Sequence, residues 1–155
     1  MPRRAHRTAS VDDVPSPLLV DSGAWIALFS ARDQHHAEAE AMVRAAVHRR
    51  ARLLTTNLIL AEVHRLLLFR AGIQPAIHAL ARIEASPLVA IEFATATHHR
   101  RARAWLEKLP DQQISYTDAV SFAVMEVSRC RAAMSFDHDF EVAGFVRWRL
   151  GGRKH

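Results

Sequence analysis

The sequence predicts an α/β protein, a three-layer α/β/α sandwich around a central, mainly parallel sheet. Three observations predict it. Short apolar runs of strand length alternate with longer stretches of helical character, and strands separated by helices pair in parallel rather than as hairpins. Half of the residues are apolar and only 5 are glycine, which argues for a compact, helix-rich body and against disorder. The 155 residues amount to one ordinary domain, long enough to bury a core.

In chain order, residues 18–21 form a short apolar strand running into a helix over 22–30. In that helix Trp25 and Phe29, at i and i+4, share a face and point to the core. A second helix is expected over 33–50, a strand over 53–55 and a helix over 57–71. Gly72 stands where a helix ends most easily, because glycine accepts the left-handed conformation of the residue after the last turn. Beyond it, 75–85 reads as helix and 88–93 as strand, followed by helices over 96–109 and 116–129. The strand at 131–136 and a final short strand at 145–148 complete the sheet. No internal repeat or low-complexity block interrupts the pattern.

Four carboxylates sit against these apolar elements. Asp21 ends the run Leu18-Leu19-Val20, and Glu62 lies within Leu58-Ile59-Leu60-Ala61-Glu62-Val63. Asp118 occupies the first turn of the helix opened by Tyr116-Thr117, and Asp137 closes Ala132-Ala133-Met134-Ser135-Phe136. A carboxylate is costly to desolvate alone, so four acids embedded in an apolar framework call for a shared counter-charge. A divalent cation is the simplest one, and hard oxygen ligands point to Mg²⁺ or Mn²⁺ rather than zinc. Asp21 and Asp137 end strands, where open parallel sheets place their sites. Each acid also has a plainer reading. Asp21 could cap the helix that follows. Ser115-x-x-Asp118 has the form of a capping box. Asp137 and Asp139 could open the turn 138–143, and Glu62 could pair with a buried arginine. Glu62 shares its helix face with Leu58, Ile59 and Leu66, which leaves little room for a solvated role.

The words around these acids, Leu19-Val20-Asp21-Ser22-Gly23-Ala24-Trp25, Thr56-Asn57-Leu58-Ile59-Leu60-Ala61-Glu62-Val63, Ser115-Tyr116-Thr117-Asp118-Ala119 and Ser135-Phe136-Asp137-His138-Asp139-Phe140, occur in the order of the PIN-domain ribonucleases. With Gly144-Phe145 added, the chain most resembles the VapC-like toxins of bacterial toxin–antitoxin pairs, from about residue 17 to 147. The resemblance implies a PIN domain over 16–148 and a metal-dependent endoribonuclease cleaving structured RNA, tRNA or rRNA. Asp21, Glu62, Asp118 and Asp137 would hold Mg²⁺ or Mn²⁺. The last word carries two acids, so Asp139 joins the metal set, with Asp137 the expected fourth ligand and Asp139 in support. Ser22, Thr56 and Thr117 would orient ligands or water, or simply cap helices. A VapB-like antitoxin and a homodimer are the implied protein partners. A different reading is a non-catalytic PIN-like RNA-binding component of an RNA-processing assembly, although such a module has no need of an intact acidic set. Asp21 lacks the Asp-x-Asp form of aspartyl phosphatases, and no lysine stands in an obvious receiver-type position after the final strand.

The formal charge of +5 sits at the ends. Residues 1–15 read as a flexible basic tail, and 149–155 as a basic C-terminal tail. Arg147, Arg149, Arg153 and Lys154 have no acid among them and are candidates for RNA or partner contact. The body between is formally neutral. No apolar run approaches a membrane span, and the basic start lacks the apolar segment of a signal peptide. The single cysteine, Cys130, excludes an internal disulfide framework and fits a cytoplasmic setting. The neighbouring pairs His35-His36 and His98-His99 lack zinc-motif spacing, since adjacent helical residues do not share a face. The cluster Arg100-Arg101-Ala102-Arg103 reads as a solvated face, with RNA contact as the lesser reading.

Overall fold

The computed structural model describes residues 14–150, so both outer tail segments, 1–13 and 151–155, lie outside the described residues. Five strands, β1 (Leu18–Val20), β2 (Leu53–Thr56), β3 (Val89–Glu92), β4 (Ala132–Met134) and β5 (Val146–Arg147), form one sheet in the order β3-β2-β1-β4-β5. Every pairing is parallel. The helices are α1 (Ser22–Phe29), α2 (His36–His48), α3 (Asn57–Ala71), α4 (Ile73–Ala85), α5 (Ala96–Lys108), α6 (Tyr116–Ser128) and α7 (Asp139–Val142). All residues of β1, β2 and β4 are buried, so helices cover both faces of the middle of the sheet and the strands carry apolar side chains on both sides. The edge strands β3 and β5 are partly open. The expected α/β/α sandwich is the fold observed, with the sheet wholly rather than mainly parallel among the described residues.

The topology creates the crevice that matters. From β1 the chain winds outward to β2 and β3, then returns to β4 and β5 on the other side. Right-handed crossovers leaving β1 and β4 in opposite directions send their helices to opposite faces. A cleft therefore opens at the carboxyl ends of β1 and β4. Leu18, Leu19 and Val20 pair with Ala132, Ala133 and Met134, and Leu19 pairs with Leu54. Carried on toward the carboxyl edge, this register sets Asp21 between Ser135 and Thr56.

Several boundaries differ from the sequence expectation for local reasons. α2 begins at His36 because the Asp33 side chain accepts the His35 backbone N–H at 2.9 Å and makes a turn first. α4 begins at Ile73, directly after Gly72 at φ +101°, and absorbs Pro75 in its first turn, where a missing N–H costs little. β4 stops at Met134, and the expected turn after it contains the helical turn α7. A 3₁₀ turn at Pro110–Gln112, without counterpart in the sequence reading, joins α5 to α6. No helix among the described residues is long and apolar enough to cross a membrane.

Candidate functional site

Asp21 leaves the end of β1 and starts α1 in one step. It is 6% exposed, and its Oδ1 accepts the Ser22 backbone N–H at 2.8 Å, so it does cap α1. Its Oδ2 accepts the Ser135 hydroxyl at 3.0 Å. Burial, reinforced by Asp118, pushes its pKa up to about 7 against the pull of the Ser22 and Ser135 hydrogen bonds, with Glu62 adding to the rise. Asp118 is half-buried on α6. Burial raises it to about 6, with Asp139, Asp137 and Glu62 adding repulsion and the Ser115 hydroxyl opposing them. Asp139 is raised by burial and by Asp137 beside it.

These couplings join five acids from four separate parts of the chain into one electrostatic cluster. Among the described residues no arginine or lysine pairs with any of them. The buried arginine that could have neutralised Glu62 is not there. The capping of α6 is carried by Ser115, whose hydroxyl accepts the Asp118 backbone N–H at 3.1 Å. The Asp118 carboxylate is also held by the Ser115 hydroxyl and feels the charge of the other acids. Like charges crowded in this way, one of them nearly dry, fit the hard oxygen donor set of a divalent cation.

The last acidic segment is compact. Asp137, His138 and Asp139 bring ligand atoms within 4.8 Å of one another. Asp137 is exposed and its Oδ1 accepts the Asp139 N–H at 3.1 Å, whereas Asp139 is half-buried and weighs on Asp118 more than Asp137 does. Phe140, fully buried, anchors the segment against Phe122 at 5.2 Å. Of the three supporting hydroxyl residues, Ser22 keeps its Oγ 3.5 Å from Asp21. Thr56 is buried and caps α3 through Ile59 at 3.1 Å. Thr117 is half-buried, and its carbonyl accepts the Ser121 hydroxyl at 3.0 Å.

Sequence reasoning missed Ser135. Its hydroxyl donates to Asp21 and accepts the Asp137 backbone N–H at 3.0 Å, so one buried side chain orients two of the acids. The signal was a lone hydroxyl ending an otherwise apolar run two residues before an acid. The histidine pairs hold no common ligand. His35 stacks on Phe136 while His36 bonds the Ala27 carbonyl, and His98 closes a capping box with Thr95 while His99 meets Tyr116. The basic cluster on α5 is exposed, as a solvated face should be. Arg147 and Arg149, taken from sequence as free for phosphate contact, have partners within the domain. Arg147 pairs with Glu141 at 2.7 Å, and Arg149 grips Glu38 with two bonds of 2.8 Å. Arg153 and Lys154 lie outside the described residues.

Comparison with known proteins bears on this cluster. The sequence model of the PIN domain family matches residues 18–146. The 23S rRNA-specific endonuclease VapC20 of Mycobacterium tuberculosis, known from strains CDC 1551 / Oshkosh and ATCC 25618 / H37Rv, is 36% identical over 132 residues, which is 85% of this chain and 98% of the relative. The crystal structure of M. tuberculosis VapC20, described as a sarcin–ricin loop cleaving toxin, superposes with a TM-score of 0.76 at 34% identity. It covers 85% of this chain and 98% of its own.

Proposed function

The chain belongs to the PIN domain family, and from that membership we propose that it is the endoribonuclease toxin of a VapBC-type pair, cutting structured RNA with the help of Mg²⁺ or Mn²⁺. The observation that carries the reading is the cluster itself. Asp21, Glu62, Asp118, Asp137 and Asp139 lie in one another's electrostatic field with no arginine or lysine paired to them among the described residues, and Asp21 is held almost dry. A non-catalytic RNA-binding module would gain nothing from that repulsion. The catalytic body corresponds to residues 16–148.

Asp21, Glu62 and Asp118 would hold the metal, with Asp137 as the fourth ligand and Asp139 in support. A bound divalent ion supplies an activated water and neutralises charge developing on the phosphoryl oxygens. The chain's own residues do the positioning. Ser22 and Ser135 hold the two Asp21 oxygens in fixed directions, and Ser135 also ties the Asp137 backbone to Asp21. Ser115 caps α6 through the Asp118 backbone N–H, and its hydroxyl also holds the Asp118 carboxylate. No side chain need form a covalent intermediate. The first substrate to test is a hairpin carrying the sarcin–ricin loop of 23S rRNA, the loop named for the solved relative. The same reading assigns the chain a VapB-like antitoxin and a homodimeric state. An apolar surface at the α3–α4 turn supports a protein partner, since Phe69 is 78% and Ile73 63% exposed.

Purified protein should cleave this hairpin with Mg²⁺ or Mn²⁺ and stop on chelation. Asp118→Asn should lower the rate at least about a hundredfold, the scale of several kcal/mol of charge stabilisation, while circular dichroism shows the fold retained. Full activity in folded Asp118→Asn protein would remove the acid cluster from catalysis.

A further inference from the structure

We propose that Tyr116, braced by His99, is a stacking platform for an unpaired base of the RNA next to the cleaved phosphodiester, and that it selects the cleavage position. The inference rests on the ribonuclease reading above and adds to it a residue that reads the base.

Tyr116 is the first residue of α6, two positions before Asp118, so it stands on the sheet edge where the acids converge. It is 43% exposed, whereas residues 119–125 of the same helix are buried. An aromatic ring left open at the start of the helix that carries Asp118 is not explained by packing. Its orientation is fixed. The hydroxyl shares a hydrogen bond of 2.8 Å with His99 Nδ1, and the two rings meet at 64° with centroids 5.8 Å apart. At that angle the histidine braces the phenol without lying flat across it, so a ring face stays available to a base.

The surroundings fit RNA better than a protein segment. His99 lies on α5, whose outer surface carries Arg100, Arg101 and Arg103. Arg101 and Arg103 have only exposed, partly screened carboxylates as partners, at 4.0 Å and 3.3 Å. Cations of this kind attract the phosphate backbone without reading sequence. Recognition of unpaired RNA then falls to aromatic faces on which a splayed base can stack. Phe93, directly after β3, adds a second exposed ring on the same edge, and its loop is held by the Ala94 N–H bonded to Asn57 at 2.9 Å. Tyr116 and Asp118 project from different sides of the first turn of α6, so the nucleotide that would meet Tyr116 is one flanking the phosphate at the acids rather than the one carrying it.

The test uses full-length protein and the sarcin–ricin hairpin, with 2-aminopurine placed next to the cleaved bond. Binding is read by fluorescence without added metal, and cleavage is read separately as KM and kcat with Mn²⁺. Tyr116→Ala should weaken binding about tenfold, the scale of one lost stacking contact. It should also raise KM and blur the cleavage position, while Tyr116→Trp restores binding and position. Unchanged binding in Tyr116→Ala, or an equal loss in Tyr116→Trp, would overturn the proposal. So would Tyr116→Ala losing affinity for a VapB-like antitoxin but not for RNA, which would make Tyr116 a protein contact. If the parent cleaves and Tyr116→Ala matches it, only this inference fails. If the parent neither cuts nor binds RNA, the ribonuclease reading falls as well.

Discussion

Asp21 shows how a single residue is caught between two demands. Its position between β1 and α1 buries it among apolar neighbours, and its chemistry requires it ionised. In the metal-free protein its pKa stands near 7 and that of Asp118 near 6. For both, the folded value lies above the unfolded one, so the folded state binds more protons at mildly acidic pH. Their contribution is therefore favourable below about pH 4 and is lost as pH rises through 6 to 7. Metal-free protein should lose stability across that window, and saturating Mg²⁺ or Mn²⁺, which binds the deprotonated site, should reverse the trend. Asp21→Asn should flatten the slope and raise metal-free stability at pH 8 by roughly 1–3 kcal/mol, read by urea denaturation at several pH values. A steeper slope in Asp21→Asn would place the titration elsewhere. Asp21, Glu62 and Asp118 were legible in sequence because each breaks an apolar pattern. Ser135 was not, because a lone hydroxyl in an apolar run shows no partner until the register brings it to Asp21.

At the scale of elements, the segment carrying Asp137 and Asp139 is held by a clasp that joins α2 to the end of the domain. Phe136 stacks against His35 with centroids 4.2 Å apart, and the Arg149 guanidinium lies 5.6 Å from the same ring. Arg149 reaches Glu38 on α2 with a two-pronged contact, while Arg147 bridges the Phe136 carbonyl and Glu141. Arg149 holds the Glu38 carboxyl below its usual range, so this contact stabilises above that range and is lost as pH falls through the lowered value. Its sign is opposite to that of Asp21. Glu38→Gln should cost about 1 kcal/mol at neutral pH and weaken metal binding severalfold by loosening the acidic turn. Calorimetric titration with Mn²⁺ checks the second effect, and unchanged affinity would make the clasp purely structural. From sequence, Arg149 belonged to a basic C-terminal tail, because nothing local announces a partner more than a hundred residues earlier.

Across the whole molecule, charge and apolarity divide the surface. The carboxyl edge of the sheet gathers the acids beside the basic face of α5. The α3–α4 turn exposes Phe69, Ile73 and Ile77, with Ile73 and Ile77 one helical turn apart. A patch of this kind is costly to leave in water and suits a second copy of the chain or an antitoxin segment. Ile73→Asp should convert a dimer to monomer by light scattering while leaving cleavage of a short hairpin intact, since Ile73 opens α4, beyond the end of α3 away from Glu62. A protein that is already monomeric alone, yet loses antitoxin binding with Ile73→Asp, would assign the patch to the antitoxin instead.

By itself the sequence determined the alternation of strands and helices, hence a parallel sheet, and the set of carboxylates that interrupt its apolar pattern. Those properties are local, because periodicity and the cost of burying a charge act within a few residues. Tertiary structure alone decided which groups meet. The strand order β3-β2-β1-β4-β5 opens the crevice beside Asp21, and the β1–β4 register sets Ser135 on its carboxylate. Packing then brings Asp118 into the field of the other acids while Ser115 takes over the cap, and folds Arg149 back onto Glu38. Such contacts join residues far apart in the chain, and they exist only once the packed core has fixed the distance between them.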